Sequence, residues 1–146
     1  MQIQLLNARN LSDWAFSEDE IINFLFENLD QYGDPKHQIA ACLNFALGKG
    51  QGLGGYVVIA YEEGKLAGAT IVNHTGMNGY IPANILVYIA VDKNQRGKGV
   101  GKLLMNEALK NANGGVALHV EPDNPARKLY EKLGFTNKYL EMRWNP

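Results

Sequence analysis

Apolar residues recur along the chain with two periods, about 3.6 and 2, and each switch between them marks a new element. Ile3, Leu5 and Leu6 outline a short first strand. Ser17-Glu18-Asp19-Glu20 has the form of a capping box, in which side chains satisfy the orphan amides of a helix start. Ile21, Leu25, Phe26 and Leu29 follow at helical spacing and predict a helix over 18–31. Asp34-Pro35 is read as the cap of a second helix, with Ile39, Leu43 and Ala46-Leu47 as its apolar stripe. After a glycine-rich break at 48–55, Tyr56–Tyr61 and Ala67–Asn73 read as strands of a hairpin turning at Glu63-Gly64. Residues 74–84 form a loop containing Gly76, Gly79 and Pro82. The unbroken apolar run Ile85–Val91 predicts a central strand buried on both faces.

Leu104, Met105, Ala108, Leu109 and Ala112 trace one face of a third helix, which Gly114-Gly115 stops. Val116–Val120 is a further strand. Asn124-Pro125 opens a fourth helix, with asparagine at the cap and proline in the first turn. Gly134 ends it, and Phe135–Trp144 supplies a last strand or two. This order predicts a mixed α/β sheet with helices on both sides.

Composition narrows the picture. With 146 residues, one domain over 1–146 is expected, and at this size about two-thirds of the unfolded chain's surface becomes buried. A net charge of −1 gives no electrostatic reason to expect nucleic acid as a partner. Cys42 is the only cysteine, so no internal disulfide forms. Met1–Arg9 lacks the pattern of a signal peptide, and Ile85–Val91 is too short to span a bilayer. A soluble, cytoplasmic protein without a membrane partner is expected.

The candidate chemistry begins at Gln95-Arg96-Gly97-Lys98-Gly99-Val100-Gly101-Lys102, between the central strand and the third helix. A helix start of this kind gathers free amides and the positive end of the helix dipole, which suits a phosphate. Arg96, Lys98 and Lys102 add positive charge, so a diphosphate fits; the alternative is a tight turn with surface lysines. A P-loop is excluded, because Arg96 stands at its first glycine and Leu103 follows Lys102. Gly50, Gly52 and Gly55 match the dinucleotide fingerprint by letter. They connect a helix to a strand, the reverse of the required order.

Two motifs carry a resemblance. Val91-Asp92-Lys93-Asn94-Gln95-Arg96-Gly97-Lys98-Gly99-Val100-Gly101 resembles the Q/R-x-x-G-x-G/A signature of the GNAT superfamily of N-acetyltransferases, with Arg96, Gly99 and Gly101 at its fixed places. Asn124-Pro125-Ala126-Arg127-Lys128-Leu129-Tyr130-Glu131-Lys132-Leu133-Gly134-Phe135 resembles the second hallmark, ending in L-Y-x-x-x-G-F. The specific resemblance spans about 85–135. It implies an α/β (mixed α+β) fold with a central mixed, mostly antiparallel sheet, a splayed pair of parallel strands and flanking helices. It also implies acetyl-CoA as co-substrate and no metal.

Carried onto this sequence, the resemblance implies a pyrophosphate on the amides of Arg96, Gly97, Lys98, Gly99, Val100, Gly101 and Lys102. The pantetheine arm would lie along Ile89, Ala90 and Val91, with the thioester in the gap toward Val116–Val120. Asn124 is a further cofactor contact, although Asn124 and Ala126 do not reproduce the common N-x-x-A spacing and Asp123 does. Tyr130 matches the tyrosine that serves as acid toward the leaving thiolate; the alternative is packing in the stripe Ala126, Leu129, Tyr130 and Leu133. His119 matches the position of a base in some relatives, with Glu121 on the same strand face to orient or replace it, and a structural histidine as the alternative. Asn84 and Ile85 stand where other relatives carry a glutamate; Tyr88 and His74 are weaker candidates.

The activity implied is transfer of an acetyl or short acyl group to an amine-bearing small molecule or peptide. The first two helices and the 74–84 loop would form the acceptor site, with Glu18, Glu20, Asp34 and His37 available to attract a cation. A non-catalytic acyl-CoA sensor and an unrelated nucleotide-binding protein are the competing readings. Tyr139–Trp144 offers a surface for a homodimer.

Overall fold

The computed structural model describes residues 1–146. Its elements are β1 (Gln2–Leu6), α1 (Glu18–Asn28), α2 (Lys36–Ala46), β2 (Gly55–Glu62), β3 (Lys65–His74), β4 (Asn84–Val91), α3 (Val100–Lys110), β5 (Val116–Leu118) and α4 (Arg127–Lys132). One five-stranded sheet runs in the order β1-β2-β3-β4-β5. All neighbouring pairs are antiparallel except β4 and β5, which are parallel. No helix is long and apolar enough to cross a membrane.

Helices cover both faces of the sheet, as the element order predicted. Ile21, Leu25, Ile39 and Leu43 of α1 and α2 pack on Val57, Ile59, Ala69 and Ile71. Val100, Leu104 and Met105 of α3 and Tyr130 of α4 pack with Val58, Ala60, Val72 and Leu86 on the opposite face. Gly68 of β3 allows α3 to approach: a Cβ there would stand 2.7 Å from Leu104 Cδ1 and 3.0 Å from Val100 Cγ1.

The capping box of α1 forms as expected, Glu20 N donating to Ser17 Oγ and Ser17 N to Glu20 Oε1, both at 3.1 Å. The helix stops three residues before the predicted end, because Asp30 takes a left-handed φ of 55°. Asp34 does not cap α2. Pro35 holds the cap position, and the Asp34 carboxylate instead receives the hydroxyl of Tyr88.

Three further expectations change. β4 is not buried on both faces: Val87 is 36% exposed and Ile85, Ile89 and Val91 are half-buried, and β5 flanks β4 only as far as Leu86. The strand predicted at Val116–Val120 ends at Leu118. Phe135–Trp144 forms no strand, and Tyr139, Leu140, Met142 and Trp144 are exposed. Asn124 also sits ahead of the α4 cap, where its Oδ1 accepts from Ala126 N at 2.9 Å in a local turn.

Candidate active site

The site starts from a strand pair that opens. β4 and β5 pair only at Asn84↔Val116, Ile85↔Ala117 and Leu86↔Leu118. Beyond Leu86, β4 runs on to Val91 with no strand on that edge, so the main chain of Ile89, Ala90 and Val91 borders a gap. Asn84, which is fully buried, clasps the closed end. Its Nδ2 donates to Asn113 O at 3.3 Å and Gly115 O at 3.2 Å, and its Oδ1 lies 2.9 Å from His74 Nδ1.

At the open end, Ile71 faces Tyr88 while Val72 faces Leu86, which leaves Val87 as the extra residue of a bulge. A bulge bends its strand and reverses the alternation of side chains. Leu86 therefore packs under α3, whereas Tyr88 and Ala90 point toward α1 and α2.

The gap leads to the glycine turn. Gly97 and Gly99 have φ of 77° and 83°, and Gly99 occupies the N-cap of α3 without a side chain to fill it. The amides of Gly99, Val100, Gly101 and Lys102 have no acceptor within the chain. Lys98 and Lys102 are exposed beside them. Arg96 departs from the expectation for its side chain. Its guanidinium donates to Asp30 Oδ2 at 3.0 Å, Asn28 O at 2.9 Å and Val91 O at 3.3 Å, so it braces the end of α1 and only its main chain belongs to the turn.

Tyr130 is 6% exposed and packs beside Phe135, with ring centroids 6.0 Å apart. Burial pushes its phenol up to about 12, which keeps the hydroxyl protonated at neutral pH. His119 lies one residue past β5, exposed to solvent, and no side chain orients it; Glu121 is exposed as well. Asn124 is half-buried and keeps its Nδ2 free.

One pairing escaped the sequence. Tyr88 Oη donates to Asp34 Oδ2 at 2.6 Å, joining β4 to the loop between α1 and α2. Each residue was singled out alone, but nothing local relates two positions 54 apart. The same loop meets the β5–α4 connection, where Tyr32 Oη lies 3.5 Å from Asp123 O.

Comparison with known proteins agrees with this geometry. Residues 53–137 match the acetyltransferase (GNAT) domain family. No curated protein sequence matches the chain. A ribosomal-protein-alanine N-acetyltransferase from Brucella melitensis biovar Abortus 2308 superposes with a TM-score of 0.62 at 21% identity, covering 99% of each chain. The aminoglycoside N-acetyltransferase AAC(6')-Iy, solved in complex with CoA, gives 0.66 at 21% identity, over 99% of this chain and 93% of its own. An aminoglycoside acetyltransferase from an uncultured soil metagenomic sample, in complex with sisomicin, gives 0.63 at 17% identity, over 99% and 94%. These likenesses establish a shared fold. The matched family domain covers more than half of the sequence and contains the open strand pair, the glycine turn and Tyr130, and the chain belongs to the GNAT acetyltransferase family.

Proposed function

We propose that this protein is an acyl-CoA-dependent N-acyltransferase that moves an acetyl or short acyl group from acetyl-CoA to a primary amine on a small molecule or peptide. The observation that carries the reading is the continuity of two backbone surfaces that no strand or helix covers. The free edge of β4 at Ile89–Val91 leads to the acceptor-free amides of Gly99–Lys102. An extended ligand that bears amides along its length and a diphosphate at its end complements both. Coenzyme A has that form. With glycine at 97 and 99, no side chain stands between the backbone of the turn and a phosphate.

Acetyl-CoA supplies the activated acyl group as a thioester. The chain's residues handle position and protons. Gly99–Lys102 amides, with Lys98 and Lys102, hold the phosphates, and Asn124 Nδ2 is free to add a contact. An alkylammonium must lose one proton before its nitrogen attacks, and His119 is the group proposed to take it. The new N–C bond forms as the C–S bond breaks. Tyr130 then donates its phenolic proton to the leaving sulfur, and the second proton of the attacking nitrogen restores the Tyr130 hydroxyl, so the products are an N-acyl amine, a free thiol and the one proton taken by His119. Burial keeps the Tyr130 hydroxyl protonated at neutral pH, the form from which an acid must start.

The sensor reading keeps two observations in its favour: His119 has no partner to orient it, and Asn84 stands where a glutamate would be. A calorimetric titration with acetyl-CoA, with ATP and NAD as controls, tests the cofactor. A screen of amines for released thiol then tests catalysis. Acetyl-CoA binding with thiol release supports the enzyme; binding without release from any amine supports the sensor. Tighter binding of ATP or NAD would overturn both.

A further inference from the structure

The end of the sheet opposite the glycine turn is built from three loops that touch one another. Residues 47–54 lead into β2, 75–83 join β3 to β4, and 111–115 lead into β5. His74 N donates to Gly54 O at 2.9 Å, and Asn84 N donates to Gly115 O at 3.1 Å. A Cβ on Gly76 would stand 2.8 Å from Leu53 Cδ1, and one on Gly114 would stand 3.1 Å from Ala83 Cβ. From Asn84 to Val91, β4 spans about 23 Å, which separates this end from the glycine turn.

This end carries exposed apolar side chains and no charge. Leu53 is 56% exposed, Met77 38%, Tyr80 80% and Ile81 44%. Residues 50–55, 75–83 and 111–115 include no Asp, Glu, Lys or Arg, although 20% of the chain is charged. The backbone beneath these side chains is fixed. Thr75 N donates to Ala83 O at 2.9 Å, Thr75 Oγ1 to Pro82 O at 2.7 Å and Met77 N to Thr75 Oγ1 at 3.1 Å. A contiguous exposed apolar cluster marks a contact surface, and tyrosine and methionine without charges are the composition of an interface centre.

We propose that this uncharged end is the contact face of a homodimer, in which two copies meet through Leu53, Met77, Tyr80 and Ile81 about a two-fold axis. A two-fold contact sets a surface against itself. A patch of one charge sign would repel its copy there; these loops hold no charge, so the face is complementary to itself. A lipid surface would call for lysine or arginine among the apolar residues, and the three uncharged stretches have none. The other exposed apolar cluster is Tyr139, Leu140, Met142 and Trp144. The one hydrogen bond in that segment joins Arg143 to Glu141, so seating it on a partner costs ordering that the Thr75-closed loop does not need. Four side chains a copy fall short of the roughly 800 Å² per partner of a standard interface, so the dimer is weak. The glycine turn and the open end of β4 stay free in both copies, and association is independent of the function proposed above.

Sedimentation equilibrium of the full-length protein, from about 5 to about 500 μM, tests this face. The parent should show a monomer–dimer equilibrium with a dissociation constant of roughly 10–100 μM. Tyr80→Lys and Ile81→Lys should each raise that constant at least about ten-fold, because each dimer then sets two like charges in the contact. Trp144→Lys should leave it unchanged. Tyr80 and Ile81 are exposed, so both variants should keep the parent's melting temperature at low concentration. In the parent, the NMR methyl signals of Leu53, Met77 and Ile81 should shift with protein concentration, and those of Leu140 and Met142 should not. A parent that stays monomeric at about 500 μM would overturn the inference. So would a dimer that Tyr80→Lys and Ile81→Lys leave intact, or concentration-dependent shifts confined to 139–144.

Discussion

The Arg96 guanidinium reaches from the glycine turn to the loop after α1, where Nη1 donates to Asp30 Oδ2 at 3.0 Å. Lys93 adds a second cation 3.3 Å from the other carboxylate oxygen. The two basic residues lie in the segment that leads to α3, and Asp30 lies in the loop that also carries Tyr32 and Asp34. The ion pairs therefore tie the loop between α1 and α2 to the proposed cofactor turn. They also explain how Asp30 keeps its left-handed φ of 55°, an uncommon conformation for a residue with a Cβ.

This tie has a defined pH dependence. The Arg96 hydrogen bond is the largest influence on the Asp30 carboxyl and holds its pKa below the ordinary value of 3.8. A carboxyl lowered on folding adds stability above its unfolded pKa and loses it as pH falls through the folded one. Asp30→Asn should melt at lower temperature than the parent at about pH 6. The difference should shrink below pH 3.8 and vanish once Asp30 is protonated in the folded protein. A melting difference that is constant across this range would mean that the charge of Asp30 is not what counts.

Gly99→Val should abolish acetyl-CoA binding in a calorimetric titration while the protein stays folded. Gly99 sits at φ 83°, a region a β-branched residue occupies only with strain of about 1–3 kcal/mol. Relief of that strain would turn the amides of the α3 start away from the phosphates. Near-normal affinity would mean that the turn is not the cradle.

Tyr130→Phe should lower kcat roughly 100-fold, the usual worth of a general acid, with acetyl-CoA affinity unchanged. The ring keeps its packing beside Phe135, so the fold should survive. Because the phenol is pushed up to about 12, the proposed activity of the parent protein should show no alkaline loss from this group across ordinary assay pH. Unchanged turnover in the variant would remove the acid role.

His119→Ala should slow turnover most at pH values below the pKa of the amine, where a proton must be taken before attack. Since His119 is exposed, the melting temperature should not move. An equal loss at every pH would point to a contact role in place of proton transfer.

Much of this protein was legible in the order of its residues. The capping box of α1, the hairpin at Glu63-Gly64 and the glycines before α3 act within a few positions of themselves, so their local chemistry carries over into the structure. The two motifs likewise located the strand–turn–helix unit and Tyr130. Phe135–Trp144 failed for the opposite reason. Its apolar residues satisfy a strand pattern, but a strand exists only where a neighbour accepts its hydrogen bonds, and none lies alongside.

What only the tertiary structure decided are relations between distant residues. The bulge at Val87 depends on how β3 meets β4, and it alone turns Tyr88 toward Asp34. Asn84, noted only for not being a glutamate, became the clasp at the closed end of the strand pair. Arg96, counted among the phosphate ligands, turned its charge to Asp30, 66 positions earlier. A side chain takes the partner that packing brings within reach. The sequence by itself determined which groups were available and which turns they could make, and the assembled sheet decided which of them meet.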